Sequence, residues 1–481
     1  MPDGLEAPGP DPVASRSLSR SAFVVPLAAL VCLCPGVPRT PAAQEDPVSL
    51  VRAYWDASDP AARAPIAGRI SAHPGYRPAR LREWLHAGVP FDDLRAGTRT
   101  ITVDAGAEGP RPVTIVLPEG YRWDRAWPLV YALHPSGEPA DRWAEQVRRL
   151  LGERAREFVI ASPEYRQNYV AVKPPFVAEH AIILDAVARL VHVDANRVYA
   201  FGYSKGGFAA WYVTVYLADR FASTVALAAG FDVAPGPDGF WRQLVSNVAH
   251  VPVLNAWGSR DPLVIRDLGE RPAGTFAESN RWFARELKGL GLPITNIEVP
   301  GAEHFQMPPP MSAVWEALAR RRAVDPARVT HTFRHLHQAS AYWIEGVSWA
   351  GESWGDPWPA RVAAKPGESD ASVLARTLEP LLGRLTGTRD GQAVRITRQH
   401  IGDVVVWFGE RSINWDQPVS IEADGKTVFS GRLTPDAALA LARAKATMDF
   451  ERLCFAGIRV NASGDASIVT AATMPEPAWR R

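Results

Sequence analysis

The six residues Gly202-Tyr203-Ser204-Lys205-Gly206-Gly207 follow an apolar, strand-like run, Val198-Tyr199-Ala200-Phe201, and precede the helix-compatible Phe208-Ala209-Ala210-Trp211-Tyr212. A serine held at the tip of a sharp strand-to-helix turn needs flanking residues without Cβ, because neighbouring backbone must come close to it. G-x-S-x-G alone is a short pattern that arises by chance. Set between a strand and a helix, it points to a nucleophilic Ser204. A serine hydroxyl barely ionises at neutral pH, so it needs a base, and the base needs an orienting acid. Two downstream segments offer these. The run Val251 to Trp257 leads into Gly258-Ser259-Arg260-Asp261-Pro262, and Ile294 to Val299 leads into Pro300-Gly301-Ala302-Glu303-His304-Phe305. Asp261 and His304 thus stand just past strand ends, on the edge where parallel sheets carry their sites. Asp232, after the strand Ser223 to Ala229, is the competing acid.

A carbonyl attacked by Ser204 develops negative charge on its oxygen, which backbone N–H groups can hold. One donor is expected from the Lys205 amide, directly after the nucleophile. The second is expected from His134-Pro135-Ser136-Gly137, which follows the strand Pro128 to Leu133. Pro135 has no N–H, which leaves Ser136 or Gly137, with Ser136 preferred. The polar, aromatic loop Pro163-Glu164-Tyr165-Arg166-Gln167-Asn168-Tyr169 lies on the same edge, and Tyr165 and Tyr169 are its candidate substrate contacts. His331, His335 and His337 share one face of a predicted strand. With no acidic or cysteine ligand nearby in sequence, they read as an exposed polar face rather than a metal site.

These residues require a framework, and the periodicity supplies one. Residues 98 to 325 alternate strands with helix-compatible stretches, the clearest helix spanning Val177 to Val193, which implies right-handed crossovers and a mainly parallel sheet with helices on both faces. Ahead of it, residues 44 to 97 form a small helical segment, a cap or lead-in, with Leu50, Val51, Tyr54 and Trp55 on one face. Beyond it, residues 326 to 481 read as a β-rich accessory domain of short strands, with Asp424-Gly425 as a hairpin turn and one plain helix, Ala437 to Met448. The fold class is therefore α/β with additions at both ends. At the N-terminus, Arg16 and Arg20 precede an apolar run from Ala22 to Cys34 and the small-residue site Pro41-Ala42-Ala43. This reads as a secretory signal over residues 1 to 43, too short to span a bilayer, so a secreted or periplasmic protein with no integral span after cleavage is expected. Cleavage removes Cys32 and Cys34 and leaves Cys454 alone, with no disulfide.

Composition narrows the function further. The chain has 481 residues, with 53 Lys+Arg against 52 Asp+Glu. That balance excludes a basic nucleic-acid protein, and a 47% hydrophobic content provides for large cores.

On Trp127-Pro128-Leu129, His134 to Gly137, the Ser204 turn, Gly258 to Asp261 and Glu303-His304, residues 98 to 325 resemble an α/β-hydrolase. More narrowly they resemble the secreted esterases that include feruloyl esterases and polyhydroxyalkanoate depolymerase-like enzymes. The resemblance implies acyl transfer to Ser204 with His304 as base, a small-molecule or polymer-linked ester as substrate, and no metal or organic cofactor. The same segment also resembles the catalytic domain of prolyl-oligopeptidase-type peptidases, which usually carry a β-propeller ahead of it. Only about fifty helical residues stand there in this chain, which favours the ester. A reading of another class makes the tail a polymer-binding module presenting Trp343, Trp349, Trp354, Trp358, Trp407 and Trp415 beside an inactive hydrolase domain.

Overall fold

The structure, a computed structural model, describes residues 45–106, 109–165, 175–230, 241–265, 274–351, 366–368 and 379–481. The expected signal segment, Tyr169, Asp232, Trp354 and Trp358 lie outside them.

Helix formation at the start follows from capping. Asp46 accepts the Val48 and Ser49 amides and opens α1 (Pro47–Asp56), and Asp59 accepts the Ala61 amide and opens α2 (Pro60–Ala72). Each has proline in its first turn, where the missing N–H costs nothing. A third helix, α3 (Pro78–Gly88), buries Leu81, Trp84 and Leu85.

The chain then enters an eight-stranded sheet. Its members are β1 (Gly97–Asp104), β2 (Pro110–Leu117), β3 (Trp127–Leu133), β4 (Val159–Pro163), β5 (Val193–Tyr203), β6 (Ser223–Leu227), β7 (Val253–Gly258) and β10 (Ile294–Val299). Their order is β1-β2-β4-β3-β5-β6-β7-β10. β2 runs antiparallel to β1 and β4, and every later pairing is parallel. β3, β4, β6 and β7 are buried along their whole length, as parallel strands covered on both faces must be. The crossovers carry α4 (Ala140–Leu151), α5 (Pro175–Leu190), α6 (Lys205–Tyr216), α7 (Trp241–Val245), α8 (Phe276–Lys288) and, past β10, α9 (Met311–Leu318). Two separate apolar clusters flank the sheet. One holds Tyr131, Ile183, Trp211 and Tyr216, and the other holds Val130, Trp143, Phe201 and Val314. A two-residue pair, β8 (Val264–Ile265) and β9 (Gly274–Thr275), lies in the β7–α8 connection.

The C-terminal third is a sandwich of two five-stranded sheets. One contains β11 (Arg328–Phe333), β14 (Gly383–Asp390), β15 (Ala393–Gln399), β17 (Val419–Ala423) and β18 (Lys426–Gly431) in that order. The other contains β12 (Ser340–Ala341), β13 (Ile344–Gly346), β16 (Val404–Gly409), β19 (Cys454–Val460) and β20 (Ala466–Ile468). Val329, Leu385, Ile396 and Ile421 from the first meet Ile344, Val406 and Ile458 from the second in one core. The β17–β18 hairpin turns at Asp424 and Gly425, with φ of 50° and 80°. This is the left-handed pair a two-residue hairpin requires.

Three expectations change. α1 to α3 do not stand alone as a lead-in: Leu50, Ile70, Leu81 and Trp84 share a core with Ala440, Leu441 and Ala444 of α10 (Ala437–Thr447). The helix read to Val193 ends at Leu190, and Val193 already opens β5. Among the described residues, the tail's four tryptophans from that reading do not form a presented face. Trp407 is 1% exposed and Trp343 3%, both in the interior, while Trp349 and Trp415 pack partly buried against the sandwich core.

A buried ionic knot ties residues from both halves. Arg322 donates two hydrogen bonds to the Asp449 carboxylate at 2.8 and 2.9 Å and a third to the Asp219 carbonyl. Arg452 pairs with Asp219 at 2.5 Å and approaches Asp449 at 3.5 Å. Asp219 also accepts the Tyr342 amide.

Candidate active site

β5 ends at Tyr203 and α6 begins at Lys205, so one residue, Ser204, makes the turn. It sits at φ 53°, ψ −122°, a conformation an L-residue adopts only under constraint. Its amide donates to the Leu227 carbonyl at 2.8 Å and its carbonyl accepts from Phe208, locking it to β6 on one side and to α6 on the other. Gly206 allows the tightness. A Cβ there would lie 1.9 Å from the Leu133 carbonyl oxygen and 2.8 Å from that of His134. The start of α6 is therefore pressed against the loop that follows β3.

The acid and base come from the neighbouring strand ends. β7 turns at Gly258, whose carbonyl accepts the Asp261 amide. A Cβ on Gly258 would stand 2.4 Å from the Ala302 carbonyl oxygen, so the two loops touch through a bare backbone. Asp261 is 1% exposed and His304 2%. Asp261 Oδ1 accepts the Leu263 amide, and Oδ2 lies 2.6 Å from His304 Nδ1. A carboxylate can only accept, so Nδ1 carries the proton and Nε2 presents its lone pair. That Nε2 is 2.7 Å from Ser204 Oγ. The structure thus brings Ser204, His304 and Asp261 into one hydrogen-bonded line, a nucleophile beside a base whose tautomer is set by a buried acid.

Tyr203 was not anticipated. Its hydroxyl donates to the His304 carbonyl, bracing the base from the residue before the nucleophile. The second position of G-x-S-x-G accepts any residue, so the pattern carried no signal for it.

Lys205 is the first residue of the twelve-residue α6, so its amide is one of the helix's outward-pointing donors at the positive end of the dipole. Its amine lies 5.9 Å from the Tyr165 ring centroid, and burial lowers its pKa from the ordinary lysine value. The loop after β3 makes a turn in which the Glu138 amide reaches the Pro135 carbonyl at 3.4 Å. Ser136 and Gly137 are its exposed central residues, and Gly137 takes φ 82°.

Two expectations are corrected. Tyr165 is 2% exposed. Its ring stacks on His134 with centroids 3.8 Å apart, and its hydroxyl donates to the His134 carbonyl, so it supports the loop instead of meeting substrate. The histidines at 331, 335 and 337 do not share an exposed strand face. β11 ends at Phe333; His331 is 1% exposed, with Nε2 2.6 Å from the Gln338 carbonyl; His335 stacks on His337. Among the described residues, no group of three or more His, Cys, Asp or Glu is placed to hold a metal ion.

The strand order, the antiparallel second strand and a strained serine between strand and helix define the class: this is an α/β-hydrolase fold followed by a β-sandwich. No family model matches the chain, and no curated protein matches it. Similar solved structures include a thermostable esterase (19% identity, 47% of this chain and 63% of that one, TM-score 0.36). They also include the S-formylglutathione hydrolase FrmB from Staphylococcus aureus (14% identity, 46% and 95%, TM-score 0.34). A third is the feruloyl esterase module from Clostridium thermocellum (16% identity, 44% and 84%, TM-score 0.32).

Proposed function

We propose that the protein is an exported serine hydrolase that cleaves carboxylic esters through an acyl-enzyme on Ser204. The observation that carries this reading is the line from Ser204 Oγ through His304 to Asp261, at 2.7 and 2.6 Å. Ser204 Oγ attacks the ester carbonyl and its proton passes to His304 Nε2. Asp261 stabilises the resulting imidazolium. The tetrahedral oxyanion accepts from the Lys205 and Ser136 amides. When the intermediate collapses, the proton moves from Nε2 to the departing alcohol. Water then repeats the sequence on the acyl-enzyme, and the products are a carboxylic acid and free Ser204. Every step is served by side chains and backbone, so the reaction needs no cofactor. Export rests on the basic, apolar and small-residue pattern of residues 1 to 43.

An apolar substrate is favoured by what surrounds the base. Of the five strongly exposed large hydrophobics among the described residues, Leu263, Val264 and Phe305 lie on the Asp261 and His304 loops. Phe305 is 82% exposed, and its ring stands 5.0 Å from that of His304. Apolar side chains left in water beside a nucleophile suit the apolar part of an ester. Replacing Phe305 by alanine is expected to raise KM for a p-nitrophenyl acyl ester about fivefold, the equivalent of ~1 kcal/mol of lost apolar contact, with kcat little changed. An unaltered KM would remove Phe305 from the substrate surface.

The reaction type is tested by comparing p-nitrophenyl acyl esters with proline-containing anilides. Faster turnover of the esters is expected, and faster turnover of the anilides would overturn the choice in favour of a prolyl-oligopeptidase-like peptidase. The polymer-binding alternative draws no support from Trp343 and Trp407, whose rings are interior.

A further inference from the structure

His134 stands at the first position beyond β3, beside the start of α6. Its ring is 2% exposed, too deep to meet a substrate, and the acyl-transfer steps above make no use of it. A buried imidazole needs both nitrogens satisfied. Nδ1 lies 2.9 Å from the Pro135 carbonyl oxygen. A carbonyl can only accept, so the proton is on Nδ1. Nε2 then offers a lone pair, and the Tyr165 backbone N–H meets it at 3.4 Å. Burial lowers the imidazole pKa from its ordinary value, in keeping with a neutral ring. Tyr165 holds the residue a second time, through the stacked ring and the hydroxyl bond to the His134 carbonyl.

The effect appears one peptide further on. Pro135 has a locked φ, so the main freedom left at that residue is ψ, which rotates the Pro135–Ser136 peptide plane. In a trans peptide C=O and N–H point in opposite directions. Drawing the Pro135 carbonyl to His134 Nδ1 therefore turns the Ser136 N–H away from the His134 ring. The other bond to that carbonyl, from the Glu138 amide at 3.4 Å, is long. We propose that His134, locked by Tyr165, is a positioning residue that sets the Ser136 N–H as the second oxyanion donor. This inference rests on the acyl-transfer reading.

Three variants and one spectrum test it. His134→Leu removes the Nδ1 donor, and kcat for a p-nitrophenyl ester is expected to fall about 100-fold with KM within twofold, the scale of a lost oxyanion donor. His134→Asn restores an N–H near the Nδ1 position and is expected to recover at least tenfold of that loss. Tyr165→Phe, which keeps the ring and should fold even if His134→Leu does not, is expected to lower kcat about fivefold at unchanged KM. In the wild type, nitrogen NMR of the His134 ring should show the neutral Nδ1–H tautomer. An Nε2–H tautomer, a kcat within threefold of wild type in His134→Leu, or equal losses in the Leu and Asn variants would each overturn the assignment. If the wild type shows the Nδ1–H tautomer but no Ser204-dependent turnover, the acyl-transfer reading fails, and the purpose given to His134 fails with it.

Discussion

Ser204→Ala is expected to abolish ester hydrolysis, with kcat reduced by about a million-fold and the fold intact. The size follows from what the hydroxyl does. Without Oγ no acyl-enzyme forms, and what remains is a site that can bind and polarise a carbonyl for attack by water. Alanine fits the position sterically as serine does, although the positive φ is equally unfavourable to both. The same change should eliminate covalent labelling by a fluorophosphonate. Labelling that persists in the variant would mean that another residue is the nucleophile, and a wild type that is never labelled would mean that the protein is not a serine hydrolase. Such a result would bring back the binding-protein reading.

The second large effect is on stability. Asp449→Ala is expected to cost about 3–5 kcal/mol in a urea titration, because it leaves the Arg322 guanidinium, whose side chain is 2% exposed, without its carboxylate. Replacing both partners by leucine should recover most of that loss, since no charge is then left uncompensated. A loss below 1 kcal/mol for the single variant would show that water or Asp219 takes over the guanidinium. The knot also gives a pH dependence. Burial alone would raise the Asp449 carboxyl pKa, but Arg322 and Arg452 more than reverse this and hold it well below the ordinary carboxylate range. Asp219 is lowered in the same way, with Arg452 as its main partner. Carboxylates depressed in the folded state stabilise it fully above the unfolded-state value of about 3.9, and that contribution falls away as the pH drops below it. Stability should therefore decline on acidification below about pH 4, and Asp449→Ala should flatten that decline. An unchanged acid limb in the variant would assign it to other groups.

Much of the chemistry was readable in the amino-acid order because it is local. Ser204, Asp261 and His304 each follow a short apolar run by three to five residues, and a parallel sheet delivers all such positions to one edge. Burial is not local in this sense. Tyr165 sits in a polar stretch that looks like surface, yet its ring is claimed by His134 thirty-one positions earlier. The alternation that put His331, His335 and His337 on one face assumed a strand that continued. It stops at Phe333 because the Gln338 side chain accepts the Arg334 and His335 amides and closes a turn. The apolar Leu190-Val191-His192-Val193 allowed a helix to be read too far, since such a run suits helix and buried strand alike. Nothing in the first helices could announce that their apolar faces wait for α10, encoded some four hundred residues later.

That last pairing has a consequence for how the chain can be cut. With α10 serving as the missing wall of α1 to α3, and Asp449 just beyond it clasping Arg322, a chain cut ahead of the sandwich would lose the cover of its first helices and the counter-ion of Arg322 together. The sandwich is a keystone rather than a passenger, so cutting the chain between α9 and β11 should yield aggregation-prone fragments instead of a smaller enzyme.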